Sequence, residues 1–130
     1  MKRAKILLVD DRSENLLALG ALLEDPGVEI VKAQSGIVAL SLILDHEFAL
    51  AILDVQMPGM CGLELAELMR GVKKTKNLPI IFVSAATNNQ TFSFKGYESG
   101  AVDFLLKPLD ACSVKSKVNA FVELYRNPRE

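Results

Sequence analysis

The sequence predicts an α/β fold, a doubly wound five-stranded parallel sheet with helices on both faces. Short apolar runs alternate with longer segments of helical pattern. The runs occupy residues 5–9, 28–33, 48–53, 78–83 and 102–106. Strands that are apolar along their whole length are buried on both faces, as in a parallel sheet covered by helices. The 130 residues suit one domain with one core, predicted to span residues 1–130.

Capping residues and apolar spacing predict where the helices lie. Ser13 is expected to cap the first helix, and Ser35 opens the second. The third helix contains Leu65 and the fourth includes Tyr97. The last helix is predicted over about residues 110–126, because apolar side chains share one face there. Those side chains are Val114, Val118, Phe121, Val122 and Tyr125.

Composition and charge indicate an ordinary globular protein and exclude several classes of function. Hydrophobic residues make up 50% of the chain and the net charge is −1, so no basic excess predicts direct binding to nucleic acid. No apolar run approaches the ~20 residues of a membrane span, and the apolar stretch after the basic start is too short for a secretory signal. A cytoplasmic location is therefore predicted, with Cys61 and Cys112 as free thiols.

Polar side chains stand at the ends of four predicted strands. Asp10 and Asp11 follow the first strand, Asp54 the third, Ser84 the fourth and Lys107 the fifth. In an open α/β sheet, ligands bind at the carboxyl ends of strands, where the strand order reverses. With the order 2-1-3-4-5, that point lies between the first and third strands, so the three aspartates are expected to converge.

These residue types point to phosphoryl transfer. Carboxylates in one pocket repel one another, and a hard divalent cation such as Mg²⁺ removes the conflict because it prefers oxygen ligands. Lys107 and the metal would offset charge on phosphate oxygens, while Ser84 would donate a hydrogen bond. Asp54 is the predicted nucleophile, because it is a single acid that follows the central strand.

Four short segments carry a resemblance to a known family, and together they span nearly the whole chain. They are residues 6–11 (ILLVDD), 53–60 (LDVQMPGM), 83–85 (VSA) and 103–108 (DFLLKP). In this order they resemble the receiver domain of two-component response regulators. The resemblance implies a flavodoxin-like (βα)5 fold with the strand order 2-1-3-4-5. Cys61 departs from the family's usual aspartate, so weaker capping of the following helix is expected.

The resemblance implies a role for each acid and for one backbone carbonyl. Asp54 matches the phosphoacceptor of the family. Asp11 matches the acid that binds Mg²⁺ (or Mn²⁺) directly, and Asp10 matches the acid that acts through a water molecule. The backbone carbonyl of Gln56 matches the third protein ligand of the metal.

A conformational switch is also implied by the resemblance. Lys107 matches the lysine that pairs with a phosphate oxygen, and its bond to Pro108 is expected to be cis. Ser84 matches the hydroxyl residue that moves toward the phosphate, and Phe104 matches the aromatic residue whose rotamer follows that movement. The surface of the fourth helix, fifth strand and fifth helix is then expected to change.

The resemblance further implies partners. Family members take the phosphoryl group from a histidine kinase or a histidine phosphotransfer protein. They catalyse their own phosphorylation and dephosphorylation and are not classified enzymes. A downstream protein or a fused output domain is expected to receive the signal, and dimerisation on activation is a family habit. The sequence leaves open whether the chain acts alone or is a fragment of a hybrid kinase or a longer regulator.

Three other functions share parts of this pattern. A flavodoxin-like electron carrier needs a loop rich in Ser, Thr and Gly after the first strand, whereas Asp10 and Asp11 would repel a flavin phosphate. A Mg²⁺-dependent aspartyl phosphatase usually needs a second acid two residues past the nucleophile, where this chain has Gln56. A receiver-like scaffold that is never phosphorylated typically lacks a reactive residue, and here every reactive position is filled.

Overall fold

The computed structural model describes residues 3–84 and 103–127, which contain one five-stranded sheet. The strands are β1 (Ala4–Val9), β2 (Val28–Ala33), β3 (Leu50–Asp54), β4 (Ile80–Ser84) and β5 (Asp103–Leu106). All neighbouring strands pair in parallel, in the order β2-β1-β3-β4-β5. The predicted α/β fold and strand order are therefore confirmed.

Four α-helices lie within the described residues. They are α1 (Ser13–Leu22), α2 (Gly36–Asp45), α3 (Gly62–Arg70) and the C-terminal helix (Ala111–Arg126), with a short 3₁₀ helix at Lys73–Thr75. The predicted fourth helix, which includes Tyr97, lies outside the described residues. None of the described helices is both long and apolar enough to cross a membrane.

The helix starts agree with the predictions except at α1. Ser35 precedes α2, and its side chain accepts a hydrogen bond from the backbone N–H of Val38 at 3.2 Å. Cys61 precedes α3 and makes no capping hydrogen bond with its side chain. The prediction that Ser13 caps α1 is wrong, because Ser13 is the first helical residue and Arg12 occupies the capping position. The carboxylate of Asp10 closes that turn instead.

The sheet is buried on both faces, as its apolar runs predicted. In β1, Leu7 and Val9 belong to a core shared with α2 and α3. Ile6 and Leu8 belong to a second core shared with α1 and the C-terminal helix. Every residue of β3 is buried. Because a fully buried aliphatic side chain contributes about 1.5–3 kcal/mol, the strand that ends at Asp54 is firmly held.

The first turn of α3 packs directly against the end of β3. The backbone N–H of Gly62 donates to the carbonyl of Val55 at 3.0 Å. A Cβ atom at Gly62 would lie only 2.2 Å from the carbonyl oxygen of Asp54. Since the neighbouring atom belongs to the backbone, it has little freedom to move aside. The lack of a side chain at Gly62 therefore sets how closely α3 approaches the strand end.

Replacing Gly62 with alanine is expected to destabilise the domain, because the strand end and α3 must separate. Overpacking of this kind typically costs about 1–3 kcal/mol. Gly71→Ala is the matched control, since a Cβ atom there would lie 3.4 Å from its nearest neighbour, the carbonyl of Leu68. Urea denaturation measures both free energies of unfolding. Equal stability of the two variants would contradict the tight approach at Gly62.

Candidate functional site

Polar residues from several strand ends meet at the carboxyl edge of the sheet. Asp54 is the last residue of β3, and Ser84 is the last residue of β4. Asp10 directly follows β1, the neighbour of β3, and Lys107 directly follows β5. The backbone N–H of Lys107 donates to the carbonyl of Ser84 at 2.9 Å. Parallel pairing therefore gathers these side chains at one edge although they are distant in the sequence.

Three carboxylates form a compact acidic cluster. Asp10, Asp11 and Asp54 each offer an oxygen, and these oxygens all lie within 4.8 Å of one another. Asp54 is 5% exposed and Asp10 is 8% exposed, whereas Asp11 is half-buried. Negative charges this close in a buried site repel one another. The donor set contains only oxygen, which fits a hard divalent cation such as Mg²⁺.

Both oxygens of the Asp54 carboxylate accept a hydrogen bond. Oδ1 accepts from the backbone N–H of Gln56 at 3.1 Å, and Oδ2 accepts from Nζ of Lys107 at 3.3 Å. Burial raises the pKa of Asp54, the hydrogen bond from Gln56 lowers it, the charge of Asp10 raises it and Lys107 lowers it. The net shift of the pKa is upward, so the ionised carboxylate is less stable here than in water.

The start of α1 orients Asp10. Its Oδ1 accepts from the backbone N–H of Arg12 at 3.0 Å, and its Oδ2 accepts from the side-chain amide of Asn15 at 3.1 Å. These contacts close the turn into α1, which explains why Ser13 is not its cap. Asn15 was not among the predicted site residues. Its place one turn after the paired aspartates is the signal that could have found it.

Ser84 lies on β4 and Phe104 lies on β5, the two strands that come after β3 in the order of the sheet. Ser84 is buried. Phe104 is half-buried, and its ring centroid lies 5.6 Å from that of Phe82 with the ring planes tilted by 39°. The bond between Lys107 and Pro108 is cis, as expected. The Lys107 side chain is 37% exposed, so it lies partly in solvent while it contacts the buried Asp54.

Comparison with known proteins identifies the family. The family model described as the response regulator receiver domain matches residues 6–119. This chain belongs to that family. Receiver domains are phosphoacceptor signalling modules of two-component systems and are generally not classified as enzymes.

Individual relatives agree with this assignment. The receiver domain is 36% identical over 129 residues to sensor protein GacS of Pseudomonas syringae pv. syringae, covering 95% of this chain and 14% of that protein. It is 34% identical over 118 residues to transcriptional regulatory protein SrrA of Staphylococcus aureus (strain NCTC 8325 / PS 47), covering 91% and 47%. The chain therefore spans less than half the length of either relative.

Solved structures share the fold. The structure of chemotaxis protein CheY4 of Vibrio cholerae superposes with a TM-score of 0.85 at 28% sequence identity. The match covers 92% of this chain and 98% of that chain. The sheet described above is therefore the flavodoxin-like sheet of receiver domains, with the site at its carboxyl edge.

Without divalent metal, Asp54→Asn is expected to raise the free energy of unfolding at neutral pH. The pKa of Asp54 is raised in the folded state. Its contribution to stability is therefore complete below the unfolded pKa and is lost as pH rises through the folded pKa. The variant has no such loss, so its advantage over the wild type grows from acidic to neutral pH. Urea denaturation in the presence of a chelator, at a series of pH values, measures this difference.

Asp110→Ala is a control of opposite sign. Asp110 caps the C-terminal helix by accepting from the backbone N–H of Ser113 at 2.9 Å, and this bond lowers the pKa of Asp110. Its contribution is present above the unfolded pKa and is lost as pH falls through the folded pKa. This variant should be less stable than the wild type at neutral pH. If Asp54→Asn lost stability there as well, the account of the buried carboxylate would be wrong.

Proposed function

We propose that this receiver domain is a phosphorylation-dependent signalling switch whose Asp54 accepts a phosphoryl group from a histidine kinase or a histidine phosphotransfer protein. The observation that carries the proposal is the Asp54 carboxylate, buried at the end of the central strand with two other acids and Lys107 as neighbours. One site then holds a nucleophile, oxygen ligands for a cation and a side-chain cation, which are the parts that phosphoryl transfer requires.

The acidic cluster would hold Mg²⁺ or Mn²⁺. Asp11, Asp54 and the backbone carbonyl of Gln56 would bind the cation directly, and Asp10 would act through a water molecule. The oxygen-only donor set and the repulsion within the cluster support this assignment. When bound, the cation offsets the negative charge of the carboxylates and of the phosphoryl group. Asn15, which donates to Asp10 at 3.1 Å, keeps that carboxylate in a fixed orientation.

In the transfer, a carboxylate oxygen of Asp54 attacks phosphorus and the bond from phosphorus to the donor's imidazole nitrogen breaks. The donor leaves as neutral histidine after taking up a proton, and Asp54 becomes an acyl phosphate. Lys107, which now donates to Asp54 at 3.3 Å, moves to a phosphoryl oxygen, and the Ser84 hydroxyl donates to another. Attack of water on the same phosphorus atom returns free Asp54 and inorganic phosphate.

The change of conformation would follow from the hydrogen bonds that Lys107 and Ser84 make to the phosphoryl group. Movement of Ser84 toward the phosphoryl group leaves space that the Phe104 ring would fill, which changes the surface of β5 and the C-terminal helix. Shifting such an equilibrium from 1:99 to 99:1 requires about 5.5 kcal/mol. Hydrogen bonds to charged groups contribute about 1.5–3 kcal/mol each, so about two to four of them supply this free energy. The fourth helix of the predicted switch surface lies outside the described residues.

Residues 1–130 would form a single domain that works in the cytoplasm, with a downstream protein or a fused output domain as the reader of its state. Longer relatives such as sensor protein GacS and transcriptional regulatory protein SrrA support the fused arrangement. Dimerisation on activation would accompany the change of the switch surface.

Asp54→Asn is expected to gain no hydroxylamine-sensitive phosphate from a small acyl phosphate and Mg²⁺, because the carboxylate nucleophile is gone. Lys107→Ala keeps the acceptor but should react on the order of 100-fold more slowly, since the transferred group loses a cationic donor. Intact-mass spectrometry with and without hydroxylamine measures both the extent and the rate.

Asp103→Asn is the matched control for this experiment. Asp103 is half-buried and, like Asp54, is paired with a lysine, here Lys117 at 3.0 Å, but it lies at the start of β5 and outside the acidic cluster. This variant should be phosphorylated like the wild type. Phosphorylation of Asp54→Asn at the wild-type level would end the proposal. Turnover of a generic phosphate monoester by the wild type would instead support the aspartyl phosphatase alternative.

A further inference from the structure

The side of α2 that faces solvent carries three exposed aliphatic side chains. Ile37 is 68% exposed, Leu44 is 65% exposed and Val38 is 45% exposed. The helix has a single charged residue, Asp45, at its last position. Its neighbour α3, by contrast, presents Glu67 to solvent. Large aliphatic side chains grouped on one exposed helix side mark interaction surfaces, so this side of α2 is expected to contact another surface.

These exposed residues form one continuous face. Ile37, Ser41 and Leu44 follow one another at spacings of four and three, so they lie on one line along the helix. Val38 and Asp45 flank that line on one side. We call these five residues the α2 face. Among the described residues, α3, β1, β2 and the 3₁₀ helix cover the other side of the helix, whereas Ile37, Val38 and Leu44 stay exposed.

We propose that two copies of this chain associate through the α2 face, with their α2 helices packed antiparallel about Ser41. The central line of the face is symmetric around Ser41, because the exposed Ile37 lies one turn before it and the exposed Leu44 lies one turn after it. A two-fold axis at Ser41 therefore packs Ile37 against the partner's Leu44, and Leu44 against the partner's Ile37. Such a self-complementary patch is what an isologous dimer requires. The small side chain of Ser41 lets the two helices approach closely at the axis.

Charge favours the antiparallel pairing over a parallel one. A parallel pair would bring the two Asp45 carboxylates side by side, where they repel. An antiparallel pair separates them by about 12 Å along the helix, since each lies four residues from the axis. Each Asp45 then lies near the first turn of the partner's helix, whose positive dipole end favours an anion. The Asp45 charges and the helix dipoles therefore both favour the antiparallel pair.

The size of the face predicts the strength of the association. A few aliphatic side chains from each copy bury less than the roughly 1,200 Å² of a stable complex, so the dimer is weak and depends on concentration. Holding two copies close together would strengthen it without any new contact. The surface is therefore suited to transient pairing of receiver domains.

Disulfide formation tests the two-fold axis. In a chain whose native cysteines are both changed to serine (Cys61→Ser and Cys112→Ser), Ser41→Cys should form a disulfide dimer at least ~10-fold faster than Glu67→Cys, since a tenfold preference corresponds to 1.4 kcal/mol. Glu67 is also exposed, but it lies on α3 outside the α2 face. Equal rates for the two variants would overturn the proposal. Cys61→Ser preserves the helix start, because serine caps a helix better than cysteine.

Sedimentation equilibrium over a range of concentrations tests the apolar contacts. The wild-type chain should show an association constant that falls at least ~10-fold in Leu44→Gln, because the symmetric interface loses the contact twice. Leu68→Gln is the matched control, since Leu68 is a 49% exposed leucine on α3. It should associate like the wild type. A wild type that stays monomeric throughout, or a dimer that is insensitive to Leu44→Gln, would show that the α2 face is not a dimer contact.

Discussion

The burial of the Asp54 carboxylate at the end of the central strand is the constraint on which the rest of the site depends. Its position is set by β3, which is buried throughout between β1 and β4, and by the close approach of α3 at Gly62. Burial raises the pKa of Asp54 and leaves a charge that needs partners, and Gln56 and Lys107 provide them. The surrounding groups therefore stabilise a charge that the fold itself disfavours.

The repulsion within the acidic cluster opposes folding. The three carboxylates of this cluster each place an oxygen within 4.8 Å of the others. The two hydrophobic cores that flank the sheet supply the stability that offsets this repulsion. A domain is stable by only about 5–15 kcal/mol, so a change of charge at a buried site alters a large part of that margin. Binding of a cation or a phosphoryl group would therefore change the stability of the whole domain.

The fold was predictable because its strands are apolar along their whole length, and parallel strands then bring the aspartates to one edge. The start of α1 was not, because Ser13 is a good local cap but Asp10 and Asn15 close that turn through a contact that local preference does not contain. The α2 face could not be predicted from the sequence either. Periodicity identifies a helix, but only the packed structure shows that Ile37 and Leu44 stay exposed to solvent. The roles of the site residues stay predictions.

A crystal structure of the domain with Mg²⁺ and beryllofluoride, which replaces the phosphoryl group, tests the central claim most directly. The account predicts beryllium bonded to a carboxylate oxygen of Asp54, a metal ion bound by Asp11, Asp54 and the carbonyl of Gln56, and Nζ of Lys107 within hydrogen-bonding distance of a fluorine. Beryllofluoride on another residue, or a metal ion away from the acidic cluster, would contradict the claim that the buried Asp54 is the reactive centre.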